Sequence, residues 1–146
     1  MHPLPHQYSV TVQGQPQGNL LAYGPNTPPM NVAPPAQFDG PGDQWTPEEL
    51  LMAALANCFT LSFRVIAGIA ELEWSDIDVS AQGTLDKVER KIKFTEVTTT
   101  ARLVIANAAD KEKAEQALQK AEASCFVSNS LNCPVHLHTE IVVAGA

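Results

Sequence analysis

From Leu50 to Ala70 the chain is apolar on nearly every helical face and carries one charge, Arg64. Thr46-Pro47-Glu48-Glu49 opens this stretch with an N-cap threonine, a proline at the first helical position and a glutamate at the third. Those are the parts of a capping box, with acidic groups at the positive end of the helix dipole. A helix that is hydrophobic all round belongs at the centre of a fold or at a subunit contact. In a chain of 146 residues it is long, and one copy has little else to cover it with. The expectation is a dimer whose core is shared between chains.

The composition changes sharply where that helix begins. Ten of the eleven prolines lie at or before Pro47, and no Lys or Arg precedes Arg64. Within this first part, Gln7–Gln13 alternates Tyr8, Val10 and Val12 against polar neighbours, and Leu20–Tyr23 is its natural hairpin partner. Pro25–Pro35 is too rich in proline for a central strand and suits an edge strand or extended loop. Asp39-Gly40-Pro41-Gly42-Asp43 is a turn.

Beyond Glu71 the apolar period becomes two. Trp74–Leu85 and Lys91–Ile105 read as strands, the second with a slip near Glu96 that suits a bulge, joined by a charged loop over Asp86–Lys91. A second helix is expected from about Ala109 to Ser124, its apolar stripe formed by Ala114, Ala117, Leu118, Ala121 and then Cys125. A turn over Phe126–Asn132 leads to a last strand, Val135–Val143. The order of elements gives an α+β domain over residues 1–146, with antiparallel sheet packed on two helices and residues 1–6 flexible.

A net charge of −7 argues against nucleic acid, whose phosphates need a basic patch. The amino terminus lacks the basic-then-apolar layout of a signal peptide, and no uninterrupted apolar run approaches the roughly 20 residues of a membrane span. Three cysteines are too few for a disulfide scaffold, which points to the reducing cytoplasm.

Cys58 lies mid-helix and Cys125 ends the second helix's stripe, so both point into the core. Each is either a small buried hydrophobe or one half of a reactive dithiol brought together by the packing of the two helices. Glu48 is ten residues before Cys58, about 15 Å along a continuous helix. It either serves as a first-turn acid or reaches Cys58 across a dimer contact or after a helix break. Cys125, Cys133, His136 and His138 fit no common zinc spacing, and His136, His138 and Glu140 share the exposed face of an ordinary amphipathic strand. His2 and His6 receive no role. Phosphate-loop, serine-elbow and zinc-helix motifs are absent.

The runs Gln37-Phe38-Asp39-Gly40-Pro41-Gly42, Thr46-Pro47-Glu48-Glu49-Leu50-Leu51 and Ala53-Ala54-Leu55-Ala56-Asn57-Cys58-Phe59 resemble the first cysteine motif of the OsmC/Ohr family. Lys120-Ala121-Glu122-Ala123-Ser124-Cys125-Phe126-Val127-Ser128-Asn129-Ser130-Leu131 is similar to its second. The resemblance implies an OsmC-like entwined homodimer and a peroxidase acting on organic hydroperoxides, and often on hydrogen peroxide, without metal or other cofactor. It makes Cys58 the peroxidatic thiolate, Cys125 the resolving thiol and Glu48 the active-site glutamate. A dithiol such as dihydrolipoamide, or a thioredoxin-like partner, would reduce the resulting disulfide. One departure stands out: family peroxidases place an N-terminal arginine at the thiolate, and this chain has none. The alternative it favours is an OsmC-like dimer that binds a small apolar ligand.

Overall fold

The computed structural model describes residues 1–145. The chain forms two compact units, Met1–Leu51 and the remainder from Met52.

In the first unit, three short antiparallel strands pair in the order β1 (Thr11–Gln13), β2 (Leu20–Tyr23), β3 (Met30–Val32). The hairpin forms as its alternation suggests, and the proline-rich segment supplies the edge strand, where a missing N–H costs no ladder bond. β1 is shorter than the pattern, and Tyr8, Val10 and Val12 all remain exposed. The turn at Asp39 depends on Gly40, because a Cβ there would lie 1.7 Å from the Pro34 carbonyl oxygen. Asp39 itself takes the left-handed conformation, with φ of 61°. Thr46 is buried and its Oγ1 accepts the Glu49 N–H at 3.1 Å, which satisfies one of the orphan donors opening the next helix.

That helix, α1 (Pro47–Ile69), runs unbroken for 23 residues. Leu55, Phe59, Phe63 and Ala67, at strict spacings of four, are its buried stripe. Leu61, Val65 and Ile69 are exposed, Ile69 at 79%. The all-round apolar pattern therefore resolves into one covered face and one bare one. By length and hydropathy α1 would also suffice to cross a membrane, because a few scattered polar residues break the uninterrupted run without lowering the mean much. Its buried stripe joins a core with sheet and helix residues.

The second unit is built on a sheet in the order β4 (Trp74–Val88), β5 (Lys91–Ile105), β6 (Val135–Val143). The β4–β5 connection is tighter than the charged loop expected. Val88 pairs with Lys91, leaving Glu89 and Arg90 as a two-residue turn with φ of 46° and 70°. Positive φ at both central positions matches the twist of the flanking strands, which is what a two-residue hairpin needs. The bulge falls where the pattern slips: Thr84 pairs with Glu96 and Leu85 with Phe94. β6 departs from the antiparallel expectation and runs parallel to β5. The side-chain alternation of a strand carries no direction, whereas a helical crossover between two strands allows parallel pairing.

That crossover contains α2 (Lys111–Ser124) and α3 (Phe126–Ser130), the latter helical where a turn was expected. A 3₁₀ turn over Ala108–Asp110 precedes α2, which delays its start by two residues. All five stripe residues of α2, from Ala114 to Cys125, are buried. They form one cluster with the α1 stripe and with Val97, Ala101, Leu103 and Ile105 of β5. Burying a side chain such as Leu118 or Leu103 contributes about 1.5–3 kcal/mol. Phe63 meets Trp74 edge-on at 5.3 Å, tying α1 to the start of β4.

Candidate functional site

The site forms where the middle of α1 meets the end of α2. Cys58 lies beside the buried stripe of its helix, one residue before Phe59, and is half-buried. Cys125 is the hinge between α2 and α3, with extended backbone angles of −69° and 113°. Its N–H donates to the Glu122 carbonyl at 3.3 Å, and its own carbonyl accepts the Asn129 N–H at 3.0 Å. The thiol is fully buried and directs its S–H toward the Leu55 carbonyl, 4.0 Å away. Cys58 follows Leu55 by one helical turn, which brings its thiol near enough to act on that of Cys125. The two cysteines singled out in the sequence are thus neighbours, reduced, at a helix–helix seam.

Burial pushes the Cys125 thiol up from its ordinary value of 9.0 to about 11. The nearby backbone of Ser128 opposes this. The neighbouring Cys58 thiol and the charge of Glu122 add to it. Cys125 is therefore held as a thiol at neutral pH.

Cys58 opens on a cavity of about 800 Å³. Ala54, Leu61, Val65, Ile66 and Phe126 supply its apolar wall, and Asn57, Ser62 and Ser124 add small polar groups. Lys120 is the one charged residue in the lining. A cavity of this volume and character suits a small apolar molecule.

Glu48 sits in the first turn of α1, half-buried, with Oε2 buried and unpartnered. Because α1 is unbroken, the helix break that would carry Glu48 to Cys58 is absent. The basic residues considered as replacements for the missing arginine lie elsewhere. Arg64 is exposed on α1, Arg90 is in the β4–β5 turn, and Arg102 is 3.9 Å from Glu140.

Cys133 is half-buried against the core. His136 faces outward 3.7 Å from Glu96, and no cluster of three metal-binding side chains occurs among the described residues.

Sequence reasoning missed Glu122. It falls on the polar face of α2, where a glutamate looks like a solvated charge. The chain reverses at Cys125, however, and α3 brings Ser128 back so that its Oγ donates to Glu122 Oε1 at 2.5 Å. Oε2 of the same carboxylate is buried without a partner. The spacing of Glu122 three residues before Cys125 was the available signal.

Comparison with known proteins identifies the family and the fold. Residues 40–140 match the OsmC family, described as OsmC-like protein. The chain is 30% identical over 95 residues to peroxiredoxin OsmC of Escherichia coli, a match covering 65% of this chain and 66% of that protein. It is 24% identical over 129 residues to the uncharacterised protein YmaD of Bacillus subtilis, covering 86% and 81% respectively. Among solved structures, an OsmC-like protein of unknown function from Vibrio cholerae superposes with a TM-score of 0.83 at 19% identity. That superposition covers 94% of this chain and all (100%) of the other.

Proposed function

The chain belongs to the OsmC/Ohr family, and from that premise we propose that it is a thiol peroxidase reducing organic hydroperoxides. A peroxide-related redox role fits the name of its relative, peroxiredoxin OsmC. The observation that carries the finer reading is that Cys58 lines an apolar cavity one helical turn after Leu55, whose carbonyl receives the buried Cys125 thiol.

In the proposed cycle the Cys58 thiolate attacks the terminal peroxide oxygen. The O–O bond breaks, the alcohol leaves with a proton, and Cys58 becomes a sulfenic acid. Cys125 then attacks the Cys58 sulfur and expels water, leaving a disulfide for a dithiol such as dihydrolipoamide, or a thioredoxin-like protein, to reduce. The apolar wall favours the alkyl part of an organic hydroperoxide over hydrogen peroxide. Lys120, the lone cation of the lining, is the group available to steady the thiolate. The working unit in this reading is a homodimer in the cytoplasm, with the bare face of α1 covered by a second chain. Glu48 acts at the site across that contact.

The cavity and the absence of any cation before Arg64 favour one second reading, a dimer that binds a small apolar ligand without turnover. Stopped-flow oxidation of the reduced protein by cumene hydroperoxide and by hydrogen peroxide decides between them. The peroxidase reading expects Cys58-dependent disulfide closure, faster with the organic peroxide and absent in Cys58→Ser. Oxidation no faster than that of a free thiol would leave the ligand-binding reading.

A further inference from the structure

We propose that Phe126 sets which hydroperoxides the site prefers, its ring being the shelf that receives an aryl group on the peroxide-bearing carbon. The inference rests on the peroxidase reading above. Phe126 is the one aromatic residue in the lining of the Cys58 cavity, and the apolar residues that α1 contributes to that lining are all aliphatic. It directly follows Cys125, whose thiol is seated on the Leu55 carbonyl, so the ring stands at the thiol end of the cavity.

Packing does not account for the ring. Val127 and Leu131 of the same segment pack against the core, and Phe126 is not among the residues that do. It is 79% exposed, an apolar surface whose removal from water favours any apolar group that covers it. Its backbone is nevertheless held in place. Ser128 Oγ donates to Glu122 Oε1 at 2.5 Å, Asn129 Nδ2 donates to the Ala123 carbonyl at 3.1 Å, and the Asn129 N–H donates to the Cys125 carbonyl at 3.0 Å. These bonds tie α3 to the end of α2. A ligand that meets a surface fixed in advance loses less free energy to ordering it. Glu122 and Ser128 are positioning residues in this scheme, since they act on the peroxide only through the placement of Phe126.

An aromatic ring packs on another ring, offset or edge-on, more favourably than area alone provides. A phenyl group beside the O–OH of a substrate held at Cys58 meets such a face. Hydrogen peroxide has no group to place there, and tert-butyl hydroperoxide carries a methyl where cumene hydroperoxide carries the phenyl. A gate makes the opposite forecast. If the ring only obstructed the mouth of the cavity, trimming it would speed the bulkier peroxide. Phe126→Ala therefore separates shelf from gate by the sign of its effect.

The experiment is stopped-flow oxidation of the reduced full chain by cumene hydroperoxide, tert-butyl hydroperoxide and hydrogen peroxide. The second-order rate constant of the first, peroxide-dependent phase is read for each. Wild-type protein is expected to favour cumene over tert-butyl hydroperoxide. In Phe126→Ala that ratio should fall on the order of tenfold, while the hydrogen peroxide rate changes far less. Phe126→Leu, which keeps apolar bulk without the ring face, should fall between. Ser128→Ala should lower the same ratio, and Ser128→Thr, which keeps the hydroxyl, should restore it. A ratio in Phe126→Ala equal to or above that of wild type overturns the assignment and leaves the peroxidase reading intact. An equal fall with all three peroxides does the same, because it would place the effect on the thiols. A wild-type chain that does not distinguish the two organic peroxides overturns it without any variant. A wild-type ratio in Ser128→Ala overturns the positioning role of the Glu122–Ser128 pair. Absence of the first phase in wild-type protein with every peroxide removes the peroxidase reading, and this inference with it.

Discussion

The Cys125 thiol points at the Leu55 carbonyl, 4.0 Å away. The end of α2 is therefore seated on the same turn of α1 that presents Cys58. This contact makes the two thiols unequal. Cys58 looks into a cavity, whereas Cys125 is fully buried behind it.

Alkylation of the reduced protein should expose that inequality. Iodoacetamide at pH 8 is expected to modify Cys58 well before Cys125, at least about tenfold faster, since both thiolate fraction and access govern the rate. Peptide mass spectrometry of time points gives the order. Equal rates at the two sites in folded protein would contradict the buried position of Cys125.

The same burial links the stability of the reduced protein to alkaline pH. The folded-state value of Cys125 is raised from 9.0 to about 11, so the native chain keeps a proton that the unfolded chain has lost. Its contribution is complete below about pH 9 and disappears as pH rises through about 11. The loss is on the order of 2 kcal/mol. Urea unfolding under a phosphine reductant should show this decline, and Cys125→Ala should show less of it. Identical slopes in the two proteins would place the titration elsewhere.

Removing Cys125 also removes the group that rescues Cys58 from overoxidation. Cys125→Ser treated with excess cumene hydroperoxide is expected to gain about 32 Da per chain, the two oxygens of a sulfinic acid. Wild-type protein should stop at the disulfide. A sulfinic adduct no commoner in the variant than in wild type would deny Cys125 the resolving role.

Much of this arrangement can be read from residue order, and the exceptions have physical causes. The stripe from Ala114 to Cys125 sits at helical spacing and is buried in full. Thr46 and Pro47 announce the start of α1, and the slip near Glu96 marks the bulge. The direction of β6 was hidden because alternation is the same for parallel and antiparallel strands. The helix α3 was hidden because five residues are too few to show a period. At the site, Cys58 and Cys125 stood out as chemistry-bearing residues on apolar faces. Glu122 did not, because its place beside Cys125 depends on the reversal of the chain into α3. Lys120 was hidden for a related reason: a lysine on a polar helix face shows no sign of lining a cavity whose other wall is α1.

The bare face of α1 supplies the remaining prediction. Leu61, Val65 and Ile69 are 56%, 63% and 79% exposed on a helix whose opposite side is fully packed. An exposed contiguous apolar strip of this kind marks a contact surface. If a second copy covers it, a charge placed there must be buried in the contact, and the cost falls on association rather than on folding of one chain. Val65→Glu should therefore shift the protein from dimer to monomer in sedimentation velocity at micromolar concentration. The neighbouring Arg64→Glu, which alters an already exposed polar position, should change assembly less. Peroxide turnover should fall together with dimer content in Val65→Glu, because the wall of the Cys58 cavity includes Leu61 and Val65. A Val65→Glu protein that sediments like wild type would show that no second chain rests on this face.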